Sequence, residues 1–252
     1  MNIASSSLGF ARQIAAGELS QLEWLDLCAH DLGVDGVSLE RAHFPRTDAE
    51  YLAQLKKTAV DLGLAIVALA DDGVLADGDG ATESFALAAS LGAPLVIARA
   101  PEASDDPAAW PVLVERAKTA ARAAKAANVP LAVRNARGTL CEFVDALKRL
   151  AKDVDSAWLR FGLDVAAFRS VDDIGAVLAR TIVAIETTVP TQPPAERRVG
   201  ARDVVRALRN FRGRIVVESP ESTLEEMREE LDALAVARAR FALERLTVDS
   251  AT

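Results

Sequence analysis

A closed (β/α)8 barrel, as a single domain over residues 1–252, is the fold this sequence predicts. Three observations carry it. First, "HDLGVDGVSLE", "VDLGLAIVALA" and "ASLGAPLVIAR" share one layout: a helical stretch ends in Leu-Gly and runs into aliphatic, β-rich sequence. The glycines are Gly33, Gly63 and Gly92, and glycine suits the left-handed residue after a helix. Their spacing of roughly 30 residues is one strand-plus-helix unit, so the chain has room for about eight. Second, strand and helix patterns alternate strictly, which argues for a parallel sheet. Third, no G-x-G-x-x-G follows the first strand, which weakens the dinucleotide-binding open sheet and leaves closure.

In order, strands are predicted near 2–6, 35–40, 64–70, 94–100, 130–135, 158–165, 181–187 and 213–218. Helices are predicted near 20–32, 48–62, 82–91, 111–127, 140–152, 171–179, 201–210 and 222–245, with a short extra turn in 9–17. Four helix starts fit the reciprocal hydroxyl–carboxylate cap: Ser20/Glu23, Thr47/Glu50, Thr139/Glu142 and Ser222/Glu225. The last helix should pack through Leu224, Met227, Leu231, Leu234 and Phe241, which recur at helical spacing, Ala237 bridging the final step. Residues 188–200, "TVPTQPPAERRVG", hold three prolines after the seventh strand and read as a lid over a pocket or as a rigid linker.

Composition bounds the function. Half the residues are hydrophobic, enough for a substantial core. No apolar run reaches the roughly 18 residues that span a bilayer. The start, "MNIASSSLGF", lacks the basic and apolar regions of a signal peptide. Cys28 and Cys141 fall in helical patterns and read as core thiols, not as a disulfide framework. A cytoplasmic protein is the expectation. The net charge of −8 disfavours a nucleic-acid backbone as partner. Of the two histidines, His30 reads as an exposed helix residue. His43, after the second strand, reads as a surface loop residue within reach of a pocket mouth. Trp24, Trp110 and Trp158 read as packing residues.

Alternate strand residues face the helices and the barrel interior. If the large aliphatics face the helices, strand 5 turns Ala132 and Arg134 inward and strand 6 turns Gly162 and Asp164 inward. Strand 7 then turns Val183 and Ile185 outward and Ala184 and Glu186 inward. Strand 8 turns Val216 and Glu218 inward, and strand 2 Ser38 and Glu40. On five strands the last inward residue is charged: Glu40, Arg134, Asp164, Glu186 and Glu218. Such a ring marks a polar pocket at the face where these barrels hold their sites. The parity of strands 3 and 4 leaves Asp71 and Arg99 open.

The motifs "GVDGVSLE", "VPLAVRN", "GLDVAAF", "IVAIETT" and "GRIVVES", in this order, resemble the xylose isomerase-like TIM barrels. That group of sugar phosphate isomerases and epimerases also includes the endonuclease IV type. The resemblance implies a divalent metal held by two Glu, one Asp and one His, with the glutamates moving a proton on carbon. Glu218 and Asp164 match two ligand positions. Arg134 stands where active members have Glu, Glu186 where they have His, and Ala167 where a further His usually follows. A guanidinium has no lone pair to give a metal but offsets the charge of nearby carboxylates.

The expectation is therefore a divergent isomerase- or epimerase-like barrel with a degenerate metal site, acting on or binding a small sugar-like or anionic molecule. Glu186, Glu218 and Asp164 are the expected catalytic residues, and Arg134, Glu40 and His43 the expected substrate-binding ones. No metal ligand set and no cofactor are expected. A metal-dependent isomerase using Mg²⁺ or Mn²⁺ and a non-catalytic binding barrel are the alternatives. A trinuclear zinc nuclease would need more than two histidines. The expected partner is a small molecule, with no nucleic acid and no membrane. A homodimer is compatible with the resemblance.

Overall fold

The computed structural model describes residues 3–76, 80–167, 171–187, 208, 211, 213–218, 223–229 and 231–236, without the side chains of 166, 171–173, 186 and 187. Eight parallel strands close into a barrel in sequence order, each pairing with the next and the last with the first. They are β1 (Ile3–Ser6), β2 (Gly36–Glu40), β3 (Ala65–Ala70) and β4 (Val96–Arg99). Then follow β5 (Leu131–Asn135), β6 (Leu159–Asp164), β7 (Thr181–Thr187) and β8 (Arg214–Glu218). The helices between them are α1 (Ala11–Ala15), α2 (Gln21–His30), α3 (Ala49–Asp61) and α4 (Gly73–Ala76). After these come α5 (Ala81–Leu91), α6 (Ala109–Ala127), α7 (Val144–Val154) and α8 (Val171–Val177). Residues 224–229 and 231–236 are also helical. The predicted helix at 201–210 apart from Leu208, the proline-rich stretch 188–200 and Phe241 lie outside the described residues.

The chain punctuates itself largely where its small and polar residues dictate. Gly33, Gly63 and Gly92 all adopt the left-handed backbone that ends each preceding helix. Ser20 and Glu23 form the full reciprocal cap of α2, with Glu23 N–H donating to Ser20 Oγ and Ser20 N–H to Glu23. Two predicted caps move by one residue. Asp48, not Thr47, caps α3 by accepting from Tyr51 N–H. Thr223 and Glu226, not Ser222 and Glu225, form the C-terminal box. In both cases a neighbouring residue with the same capacity to accept takes the role. The Thr139/Glu142 cap does not form. Thr139 Oγ1 donates to Ala136 O and Glu142 accepts from Gly138 N–H, which folds a turn, and α7 begins later at Val144. Cys141 lies in that turn rather than in a helix, and both cysteines are buried and unpaired.

Two apolar layers build the molecule. The outer one packs helix residues such as Trp24, Leu55 and Leu147 on the outward strand residues Leu39, Val133, Phe161 and Val217. Met227, Leu231 and Leu234 are buried in this layer, with Leu224 packed against it. The inner layer holds strand residues, among them Ile97, Ala132, Val183, Ile185 and Val216. It corrects the predicted faces of β7: Val183 and Ile185 point into the barrel, and Ala184 belongs to the outer layer. The reason is volume. β5 and β6 contribute only Ala132 and Gly162 to the interior at this level, so a large aliphatic from β7 must fill it. A Cβ on Gly162 would lie 3.2 Å from Val183 Cγ1 and 3.6 Å from Ile185 Cδ1. Among the described residues, no helix is long and apolar enough to cross a membrane.

Candidate functional site

The carboxyl ends of β2, β5, β6 and β8 bring Glu40, Arg134, Asp164 and Glu218 to one end of the barrel. At its centre is a three-residue ion cluster. Arg134 Nη1 donates to Glu218 Oε2 at 2.5 Å, and Nη2 donates to Asp164 Oδ2 at 2.8 Å. All three side chains are withdrawn from solvent, with 13%, 9% and 2% of Arg134, Asp164 and Glu218 exposed. Charge-assisted bonds of this kind are the strong ones, because each ion takes the place of the other's lost water. Burial alone would loosen the proton on Arg134, but the carboxylates of Glu218 and Asp164 hold it more tightly than usual. Burial raises the proton affinity of Glu218, and Arg134 opposes the rise.

The backbone beneath the cluster is held by Asn135, which sequence reasoning did not single out. Its Oδ1 accepts from Asp164 N–H at 2.9 Å, and its Nδ2 donates to Asp164 O at 3.2 Å. The fully buried amide thus extends the β5–β6 ladder by imitating a peptide group. An amide immediately after the arginine in "VRN" was the available signal.

Glu40 is half-buried, and burial together with the charges of Glu218 and Asp72 pushes its carboxyl up to about 8. Ser6 Oγ lies 3.5 Å from Glu40 Oε1. The next turn, Arg41–His43, follows directly, and His43 Nδ1 is 2.9 Å from Ser7 Oγ, which also accepts the Glu40 N–H at 2.9 Å. His43 is therefore tied into the structure beside Glu40 rather than hanging in a surface loop. The open question over strand 4 resolves as well. Arg99 pairs in register with Arg134 and, two residues on, shares a strand face with the inward-facing Ile97. Its Nε sits 3.2 Å from Asp72 Oδ2, and its own N–H donates to Asp72 Oδ1. Asp71 instead accepts from Ser84 Oγ and Gly73 N–H, a bracing of the loop around α4.

Glu186, also an expected site residue, lies in β7. Its backbone pairs in register with Val217, and that of Thr187 with Glu218. The Glu186 side chain lies outside the described residues. The faces predicted for Val183, Ala184 and Ile185 are the ones reversed.

Eight parallel strands closed in sequence order, with helices between them, define a (β/α)8 barrel. A family profile described as xylose isomerase-like TIM barrel matches residues 28–240, and the chain belongs to that family. No curated protein matches significantly. Among solved structures, the probable 3-DHS dehydratase AsbF from Bacillus anthracis superposes with a TM-score of 0.77 at 14% identity, over 93% of this chain and 99% of that one. D-psicose 3-epimerase from Clostridium cellulolyticum H10, solved with D-tagatose, gives 0.70 at 14% identity, over 98% and 99%. The 3-keto-D-glucoside 4-epimerase YcjR from E. coli gives 0.73 at 12% identity, over 95% and 99%. At these identities the likeness is one of fold.

Proposed function

We propose that this barrel is a divergent isomerase- or epimerase-like protein that binds and transforms a small sugar-like molecule at its C-terminal mouth, with Arg134 in the place of a divalent metal. The observation that carries this reading is the placement of the Arg134 guanidinium between Asp164 and Glu218. A divalent ion does not fit that donor set. The two carboxylates are already bonded to a cation that offers no lone pair. Among the described residues, no group of three or more His, Cys, Asp or Glu is arranged to hold an ion. The similar epimerases, and the D-tagatose in one of them, suggest the substrate class.

Roles follow from accessibility. Glu218 is too deeply buried to meet a substrate, so it and Asp164 orient Arg134. Glu40 is the more accessible carboxyl, and its proton leaves near neutral pH, where a general acid–base group works best. In its ionised form Glu40 takes a proton from the hydroxyl-bearing carbon beside a carbonyl and returns it to the former carbonyl carbon, while the hydroxyl proton passes to the former carbonyl oxygen, so that carbonyl and hydroxyl change places. The charge on the resulting enediolate oxygen is held by the Arg134 guanidinium.

The test combines elemental analysis of the purified protein with melting curves in D-tagatose, D-fructose, inorganic phosphate and MnCl₂. The expected result is no stoichiometric divalent ion, no response to Mn²⁺, and a rise in melting temperature with one of the sugars. One tightly held metal per chain would replace this reading with a metal-dependent isomerase. A response to phosphate alone would move the ligand to an anion.

A further inference from the structure

Resting on that reading of the mouth, we propose that Ser7 is a positioning residue that holds His43 as the neutral Nε2–H tautomer, presenting this N–H as a donor to an uncharged oxygen of the ligand. The argument is a count of protons. Ser7 is fully buried, so water does not reach its hydroxyl. Its Oγ accepts the Glu40 N–H at 2.9 Å and lies 2.9 Å from His43 Nδ1. Suppose Nδ1 carried a proton. Both neighbours would then donate to Oγ, and the buried hydroxyl proton would have no acceptor among the described residues. Leaving a buried donor unmade costs more than a hydrogen bond gains. The arrangement that satisfies every group sends the Ser7 proton to Nδ1 and places the ring proton on Nε2.

Protonated His43 would put a second donor against Ser7 and recreate the same conflict. Burial also disfavours the charged ring. His43 therefore stays neutral where an ordinary surface histidine begins to charge. Its turn follows Glu40 directly, and one Ser7 hydroxyl ties the ring to the Glu40 backbone, which keeps His43 near the carboxyl assigned above to proton transfer. A neutral N–H suits a carbonyl or hydroxyl oxygen and gives a phosphate no ionic attraction, which sharpens the ligand class toward uncharged sugars.

The chain has only two histidines, which makes the assignment measurable. His30, exposed at the end of α2 and 3.2 Å from Asp26, serves as the internal reference. Two-bond ¹H–¹⁵N spectra at neutral pH should show His43 as the Nε2–H tautomer in the parent, and mixed tautomers in Ser7→Ala. An Nδ1–H ring or a charged ring in the parent would overturn the assignment. So would a tautomer unmoved in a folded Ser7→Ala. If that variant does not fold, the parent spectrum alone decides.

The ligand arm adds D-tagatose, with binding measured separately by calorimetry. The His43 Nε2 resonance should shift, the His30 resonances should not, and His43→Ala should weaken binding about two- to tenfold. Binding that leaves Nε2 unmoved overturns the contact. Failure of D-tagatose and D-fructose to bind at all counts against the proposed function, while the tautomer spectra still decide the role of Ser7.

Discussion

The Arg134 guanidinium and the Glu218 carboxylate, 84 residues apart in the chain, meet at 2.5 Å. The strands that carry them are not neighbours, since β6 and β7 lie between β5 and β8. The same guanidinium bonds Asp164 on β6, so one side chain braces three strands. Replacing it uncovers two buried carboxylates at once. Arg134→Met should lose about 3–5 kcal/mol in urea denaturation, the usual cost of breaking a buried pair from one side. A loss below about 1 kcal/mol would mean that the cluster is not holding the mouth together.

Arg134→Glu should behave differently when metal is added. Without it, three carboxylates crowd one cavity, and the variant should melt well below the parent. Mn²⁺ should then raise its melting temperature, because an ion that binds only the folded state stabilises it. The parent should not respond. Melting curves of both proteins with and without Mn²⁺ check this, and a variant indifferent to Mn²⁺ would sink the idea that Arg134 stands where an ion could.

Glu40 sets a pH dependence of stability. Its carboxyl titrates at the ordinary 4.5 when unfolded and at about 8 in the fold. Between these values the folded state keeps a proton that the unfolded state has lost. The stabilisation is complete below the lower value and is lost as pH rises through the upper one. The parent should therefore lose stability between about pH 5 and 9 more steeply than Glu40→Gln, which carries no such proton. Parallel slopes would show that Glu40 titrates normally.

Asn135→Leu should cost about 1–3 kcal/mol, since it strips the N–H and C=O of Asp164 of their partner inside the protein. Asn135→Asp keeps the acceptor, loses the donor and buries a charge, so it should be the less stable of the two. Equal stability of Asn135→Leu and the parent in urea would remove the amide from the support of the site.

The interior of β7 gives a test by double substitution. Ile185→Ala should cost about 2–5 kcal/mol by opening a cavity. Gly162→Ala alone should strain the contact with Val183 and stand at ordinary contact distance from Ile185. Together they should cost less than the sum, because the added methyl occupies part of the vacated space. Strict additivity would mean that the two positions do not share that space.

How much of this was legible in the sequence depended on which force set each feature. The strands, most of the described helices and the left-handed Gly33, Gly63 and Gly92 follow from local pattern, and they read directly. So did the inward Arg134, Asp164 and Glu218, because their strands put large aliphatics outward as expected. The β7 faces did not read, because what packs against Ile185 is decided by Gly162 and Ala132 on other strands. Nothing near residue 185 encodes that. The caps at Asp48 and Thr223 were missed by one position because two adjacent residues could each accept the bond. Ser7 and Asn135 were missed for a related reason: they act on the backbones of Glu40 and Asp164, which come near them only when neighbouring strands pair.

The cation that balances Asp164 and Glu218 is joined to the chain by its own Cα. It arrives with translation, one per molecule, and no chelator can strip it. Scarcity or excess of any ion in the surroundings leaves its occupancy unchanged. The same attachment forecloses tuning: a bound ion can be exchanged for another with different acidity, whereas a guanidinium between two carboxylates has one setting, and only mutation resets it.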